Sequence, residues 1–98
     1  MKRNKASHIT AGNVFEDLGF SAEEAAVLRI KTEMHIEILK IVEKEKLTPT
    51  QLGQRLDIPQ PRVSELLRGK ISSMTADRLV KYLHRLGRDI RLTSRKTA

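Results

Sequence analysis

Residues 48 to 69, TPTQLGQRLDIPQPRVSELLRG, limit what this chain can fold into more than any other stretch. Leu52, Leu56, Ile58, Val63, Leu66 and Leu67 are its apolar positions, and no single straight helix or strand brings all six to one face. They meet only if two short helices cross through a tight turn at Asp57 to Gln60, which is the spacing of a helix-turn-helix. Gln51, Gln54, Gln60, Arg62, Ser64, Glu65 and Arg68 are left outside, and their hydrogen-bonding groups suit base edges and phosphates.

Each residue of the segment has a local task in that reading. Thr48 is placed to cap the first helix of the motif, and Pro49 stands in its first turn, where a missing N–H costs nothing. Gly53 falls where the helices approach most closely. Asp57 sits at the turn and tolerates a left-handed backbone better than most residues. Gln60 then caps or opens the second helix, with Pro61 in its first turn, and its amide can pair with adenine through two hydrogen bonds.

The rest of the chain is expected to fold around this pair. With 98 residues it has room for one domain with one compact core. Residues 1–12 are polar and basic without periodicity and are expected to form a flexible basic tail. In NVFEDLGF, Asn13 to Phe20, the apolar anchors Val14, Phe15, Leu18 and Phe20 should pack onto the domain. A long helix opens after Ser21 as N-cap, carries Glu23 and Glu24 in its first turn, and runs to about Lys46. Val27, Ile30, Met34, Ile38 and Ile41 form its apolar stripe, widened by Leu28, Leu39 and Val42, with surface to spare for a partner. After the motif come a basic loop, Gly69 to Met74, and a last helix capped by Thr75 with Asp77 in its first turn. That helix uses Leu79, Val80, Tyr82, Leu83 and Leu86 and stops at Gly87. The helical domain is thus expected over residues 13–87, with the motif at 49–68. Residues 88–98 form a basic tail in which Ile90 and Leu92 alternate with Arg91 and Thr93. This is a strand pattern, and a lone strand needs a partner edge, which a second subunit can supply. A frayed tail is the alternative.

Charge agrees with the motif. The net charge is +7. Residues 1 to 58 hold nine Lys/Arg and nine Asp/Glu, whereas residues 59 to 98 hold ten against three, so the whole excess starts at the second helix of the motif. A phosphate-facing surface is the physical reading of that asymmetry. Lys70, Arg78, Lys81, Arg85 and Arg88 belong to it, either as contacts or as sources of the field. The chain has no cysteine, which removes disulfides, Cys-bound zinc and thiol nucleophiles together. His8, His35 and His84 lack metal spacing and are expected to be ordinary surface or helix histidines. Glu23/Glu24 and Glu43/Glu45 are solvated charges and dipole partners rather than catalytic acids. No nucleophile has a base nearby, and no Gly-rich loop can cradle a phosphate, so neither catalysis nor a cofactor is expected. Nor does any continuous apolar run follow Lys2, Arg3 and Lys5, and a cytoplasmic protein without membrane segment or signal peptide is expected.

Leu47 through Gly69 resembles the lambda-repressor-like, or XRE, helix-turn-helix family, whose pattern is a Leu-Thr-Gln start, a small residue, a turn glycine and a Gln-containing recognition helix. Two residues depart from it: Pro49 stands where the family often has a phosphate-touching Gln, and Asp57 replaces the glycine. The resemblance implies an all-α bundle of about five helices, with a short C-terminal strand for dimerisation through Ile90 and Leu92. It implies that Gln60, Pro61, Arg62 and Ser64 face bases or the groove. By the same resemblance Arg68 falls at a phosphate-contacting position, and Thr50, Gln51 or the helix N-terminus is left to do the job of the lost clamp; Lys70, in the basic loop, is expected to contact phosphate on the ground of charge. NVFEDLGFSAEEA, the long helix, QPRVSELLRGK, the final helix and the basic strand together look like the small proteins grouped with HigA-like antitoxins. Such proteins bind operator DNA as homodimers and often neutralise a RelE-like toxin while repressing their own operon. A protein that chiefly inhibits a toxin, and a low-specificity nucleoid-type or RNA-binding protein, are the competing readings. The few aromatic residues disfavour single-strand binding, since stacking platforms are lacking.

Overall fold

The computed structural model describes residues 18–97. Among these, four helices form the fold: α1 (Ala22–Glu45), α2 (Pro49–Leu56), α3 (Gln60–Leu67) and α4 (Ala76–Arg85). The expected tail at 1–12, with His8, and the anchors Val14 and Phe15 lie outside the described residues. Of that segment Leu18 and Phe20 are described, and both are exposed.

The helix boundaries follow from caps. Ser21 and Glu24 form a reciprocal capping box: the Ser21 N–H donates to Glu24 Oε1 at 2.9 Å and the Glu24 N–H to Ser21 Oγ at 3.1 Å. The helix ends at Lys46, which turns left-handed at φ 54° and lets the Leu47 N–H reach the Val42 carbonyl at 3.0 Å. Thr48 and Gln51 repeat the box at the start of α2, at 2.9 and 3.1 Å, with Pro49 at its first position. Asp57 closes α2 at φ 57°, the left-handed turn that its sequence position calls for. Helix α3 opens differently: Pro59 is its N-cap and supplies no side-chain bond, and Gln60 is the first helical residue rather than the cap. Thr75 caps α4 by accepting from the Arg78 N–H at 3.3 Å, and Gly87, at φ 84°, turns the chain away after Leu86.

Ile38, Leu52, Leu56, Val63, Leu66, Met74 and Leu79 are fully buried and make one core. Helices α1 and α4 pack together on one side of it, and the α2–α3 pair closes the other. The six expected motif positions divide into four that are fully buried and two, Ile58 and Leu67, that pack half-buried against the core. Ile71 and Met74, read from sequence as parts of a basic loop, are buried core residues. The loop is folded inward by bonds from the Lys70 N–H to the Glu65 carbonyl and from the Met74 N–H to the Ile71 carbonyl, both at 3.0 Å. Lys31 Nζ binds it from α1 through the Ser72 carbonyl at 3.3 Å.

Of the about five helices expected, the described residues hold four. Two expectations need correction. Residues 88–97 contain no strand, because a strand exists only when another edge pairs with it and the described residues offer none. Val27 and Ile30, at 51% and 40% exposure, and Val80, at 41%, lie outside the core. Helix α1 has 24 residues and the other helices eight to ten; its first turns bury Ala25 and half-bury Leu28, while Val27 and Ile30 fall on the exposed side.

Candidate nucleic-acid interface

Helix α3 has eight residues and two faces. Val63 and Leu66 point inward with no exposed surface, and Leu67 is half-buried. Gln60, Pro61, Ser64 and the C-cap Arg68 are exposed, and their spacing of three or four residues places them in one stripe opposite the core. Neither Gln60 nor Ser64 has a side-chain hydrogen bond to another described residue, so their amide and hydroxyl groups are available to an external partner.

The approach of α2 to α3 is what presents this stripe. Gly53 faces Val63 and the turn; a Cβ there would lie 3.1 Å from Val63 Cγ2 and 3.2 Å from the Ile58 carbonyl oxygen. The start of α2 holds Thr50 and Gln51, both exposed. Gln51 uses Oε1 in the cap of Thr48, which leaves its amide N–H groups to donate outward. Beyond α3, Arg68 and Lys70 are exposed. Behind the stripe, the end of α3 is anchored by His35, which is buried, with Nε2 donating to the Leu66 carbonyl at 2.7 Å. Sequence reasoning took His35 for an ordinary helix histidine. Its partner is a backbone carbonyl 31 residues away, and no local pattern marks such a bond.

Two further links fix α2. Arg55 Nη1 lies 3.0 Å from Glu45 Oε1, joining α2 to the end of α1, and Arg85 of α4 donates to the Leu56 carbonyl at the end of α2. Arg85 is therefore engaged in holding the motif, which its place in the basic C-terminal half did not reveal.

Not all the expected contacts come together. Arg62 is half-buried and lines a groove between the Ile58–Pro59 turn and the start of α4, beside Arg78 and Lys81 rather than in the outward stripe. Arg78, Lys81 and Arg85 recur at three and four residues along α4, a basic stripe that the sequence carried but the motif alone did not single out. Ile90 lines a separate shallow groove with Val80 and His84 on the other flank of α4, and Leu92 is 89% exposed.

Asp77 also lies in the first groove. The Thr75 hydroxyl beside it holds its carboxyl below the usual carboxylate range, and Lys81 at 3.9 Å adds to this. It stays ionised and partly offsets the cations. No group of acids and histidines among the described residues could hold a metal ion, and none of their helices is long and apolar enough to cross a membrane.

The arrangement of α2 and α3, with a polar stripe turned outward and basic residues around it, is that of a helix-turn-helix. A family model described as a helix-turn-helix domain matches residues 14–94. The chain belongs to this family. Neither the curated proteins nor the solved structures contain a match. The match spans the motif, both flanking helices and the start of the C-terminal segment. Membership of a helix-turn-helix family points to a DNA-binding regulator, with DNA as its partner.

Proposed function

We propose that this helix-turn-helix protein is a sequence-specific transcriptional regulator of the XRE type that binds double-stranded operator DNA as a homodimer and represses transcription. The observation that carries the reading is the outward stripe of α3, whose polar groups are unengaged while its inner face is locked into the core. In this reading α3 lies in the major groove. Gln60 and Ser64 bond to base edges, and Pro61 makes apolar contact there. Thr50, Gln51, Arg68 and Lys70 hold phosphates on either side. Two copies place their α3 helices about 34 Å apart on a pseudo-palindromic site and exclude polymerase. The C-terminal segments, through Ile90 and Leu92, join the copies. The protein has no catalytic role, needs no cofactor and works in the cytoplasm.

Resemblance to HigA-like proteins supports an antitoxin role in addition, with a RelE-like toxin as partner. Val27 and Ile30, on the exposed side of the start of α1, favour a protein partner on that side. Co-purification with the product of a neighbouring toxin-like gene tests it, and a lone gene argues against it.

Binding to the protein's own upstream DNA, compared with a shuffled duplex of equal length at near-physiological salt, tests the main reading. A preference of about a thousandfold is expected. Gln60→Ala should then cost about 1 to 3 kcal/mol at one base step and leave the others unchanged. Equal affinity for both duplexes would replace the reading with a nucleoid-type one, and no binding to either would favour the toxin inhibitor.

A further inference from the structure

The groove between the Ile58–Pro59 turn and α4 is floored by the core residue Tyr82 and lies apart from the outward stripe of α3. Arg62, Arg78, Lys81 and Arg85 line it, with Asp77 as its one carboxylate. The cations are not equivalent. Arg85 is spent on the Leu56 carbonyl, and Lys81 lies 3.9 Å from Asp77. The guanidinium groups of Arg62 and Arg78 have no hydrogen bond or ion pair among the described residues, although each residue is half-buried. Two guanidinium groups gathered in one cleft repel each other, and neither gains a neutralising partner among the described residues. An arrangement of that kind is stabilised by an anion between them, and a guanidinium offers the forked donors that fit phosphate oxygens.

Position says which phosphate. Arg62 is the third residue of α3, two after Gln60, and Arg78 is the third of α4. Any duplex that lies against the start of α3 brings its backbone past this cleft. We infer that Arg62 and Arg78 together grip one backbone phosphate of the DNA, beside the bases that the start of α3 meets, and that Arg62 is thereby a phosphate-holding residue and not a base reader. The inference rests on the DNA-binding reading above and assigns within it the contact that sets how far along the backbone α3 is placed. Asp77, kept ionised by Thr75 and screened by Lys81, borders the cleft and limits it to a single phosphate.

Salt dependence of binding separates this from other roles, because each phosphate neutralised adds about 0.9 to the slope of log affinity against log salt. The affinities of wild type, Arg62→Gln, Arg78→Gln and Lys40→Gln for the upstream duplex and for its shuffled counterpart are measured between about 50 and 200 mM salt. Lys40 pairs with Glu37 on α1 and does not line the cleft, so its variant makes the same change in net charge elsewhere. Loss of one phosphate contact should make the affinity drop over this range about 3.5-fold shallower. Arg62→Gln and Arg78→Gln should each do so, and weaken both duplexes by the same factor. The double variant should lose little more than either alone, and Lys40→Gln should match wild type. Arg62→Lys and Arg78→Lys, which keep the charge, should recover most of the slope, and thermal unfolding of every variant shows whether it is folded.

Unchanged slopes in both glutamine variants, or an equal effect from Lys40→Gln, would overturn the inference. So would a loss by Arg62→Gln confined to the upstream duplex, which would make it a base reader, or lysine variants that fold like wild type and stay shallow. Failure of the underlying reading looks different: wild type itself would then show no preference between duplexes.

Discussion

At Gly53 the α2–α3 crossing admits almost nothing, since a Cβ would meet Val63 Cγ2 at 3.1 Å and a backbone oxygen, that of Ile58, at 3.2 Å. The Val63 methyl can shift by a few tenths of an ångström, whereas the Ile58 carbonyl is held by the turn. Gly53→Val is expected to destabilise the protein by about 1 to 3 kcal/mol through overpacking, read as a lower urea midpoint with an unchanged slope. An unchanged midpoint would mean that the crossing yields. His35 offers a contrasting case. Its bond to the Leu66 carbonyl is buried, but that carbonyl also accepts from the Gly69 N–H at 3.1 Å. His35→Leu therefore leaves no orphaned acceptor and should cost only about 1 kcal/mol. A loss of several kcal/mol would show that Gly69 cannot hold the end of α3 alone.

Among the helices, the caps carry most of what sequence could foretell. Ser21, Thr48 and Thr75 stand where capping residues are expected, and all three accept the N–H that ends a helix. Local chemistry sets such boundaries, so a local reading finds them. Thr48→Ala should cost about 1 kcal/mol, because it opens the box with Gln51 at the helix that presents α3; calorimetry reads the shift in Tm. The caps also couple stability to acid. Glu24 is held below the usual carboxylate range by the Ser21 backbone N–H and then by the Ser21 side chain, and Asp77 by the Thr75 hydroxyl. Carboxyls depressed in the folded state add stability above their unfolded values, near pH 4, and lose it as pH falls through the lower folded values. The Tm of wild type is thus expected to fall more steeply below about pH 4 than that of Ser21→Ala with Thr75→Ala. Parallel curves would refute the link. What sequence missed at this scale was non-local: Ile71 and Met74 entered the core through loop bonds. Arg85 was committed to a carbonyl of α2, and Val27 and Ile30 fell on the exposed side of α1, whose first turns bury Ala25 instead.

Across the whole molecule, α1 and α4 back a motif whose outward stripe contributes nothing to the core. The motif itself was legible, since its apolar spacing allows few arrangements. Helical spacing alone did not show that Arg62 also lines the groove against α4. In the proposed homodimer, residues 88–98 join the two copies. Their removal is expected to shift the mass of the particle in sedimentation from dimer toward monomer at micromolar concentration and to weaken DNA binding. An unchanged mass would move the interface elsewhere, with the exposed Val27 and Ile30 of α1 the first place to look. The separation of the α3 stripe from the core has a consequence for descent with change. Exposed positions without internal bonds typically alter stability by no more than about 0.5 kcal/mol when exchanged. Gln60 and Ser64 can therefore be rewritten at almost no cost to folding, and one ancestral scaffold can give rise to many address labels while every mutational intermediate stays folded.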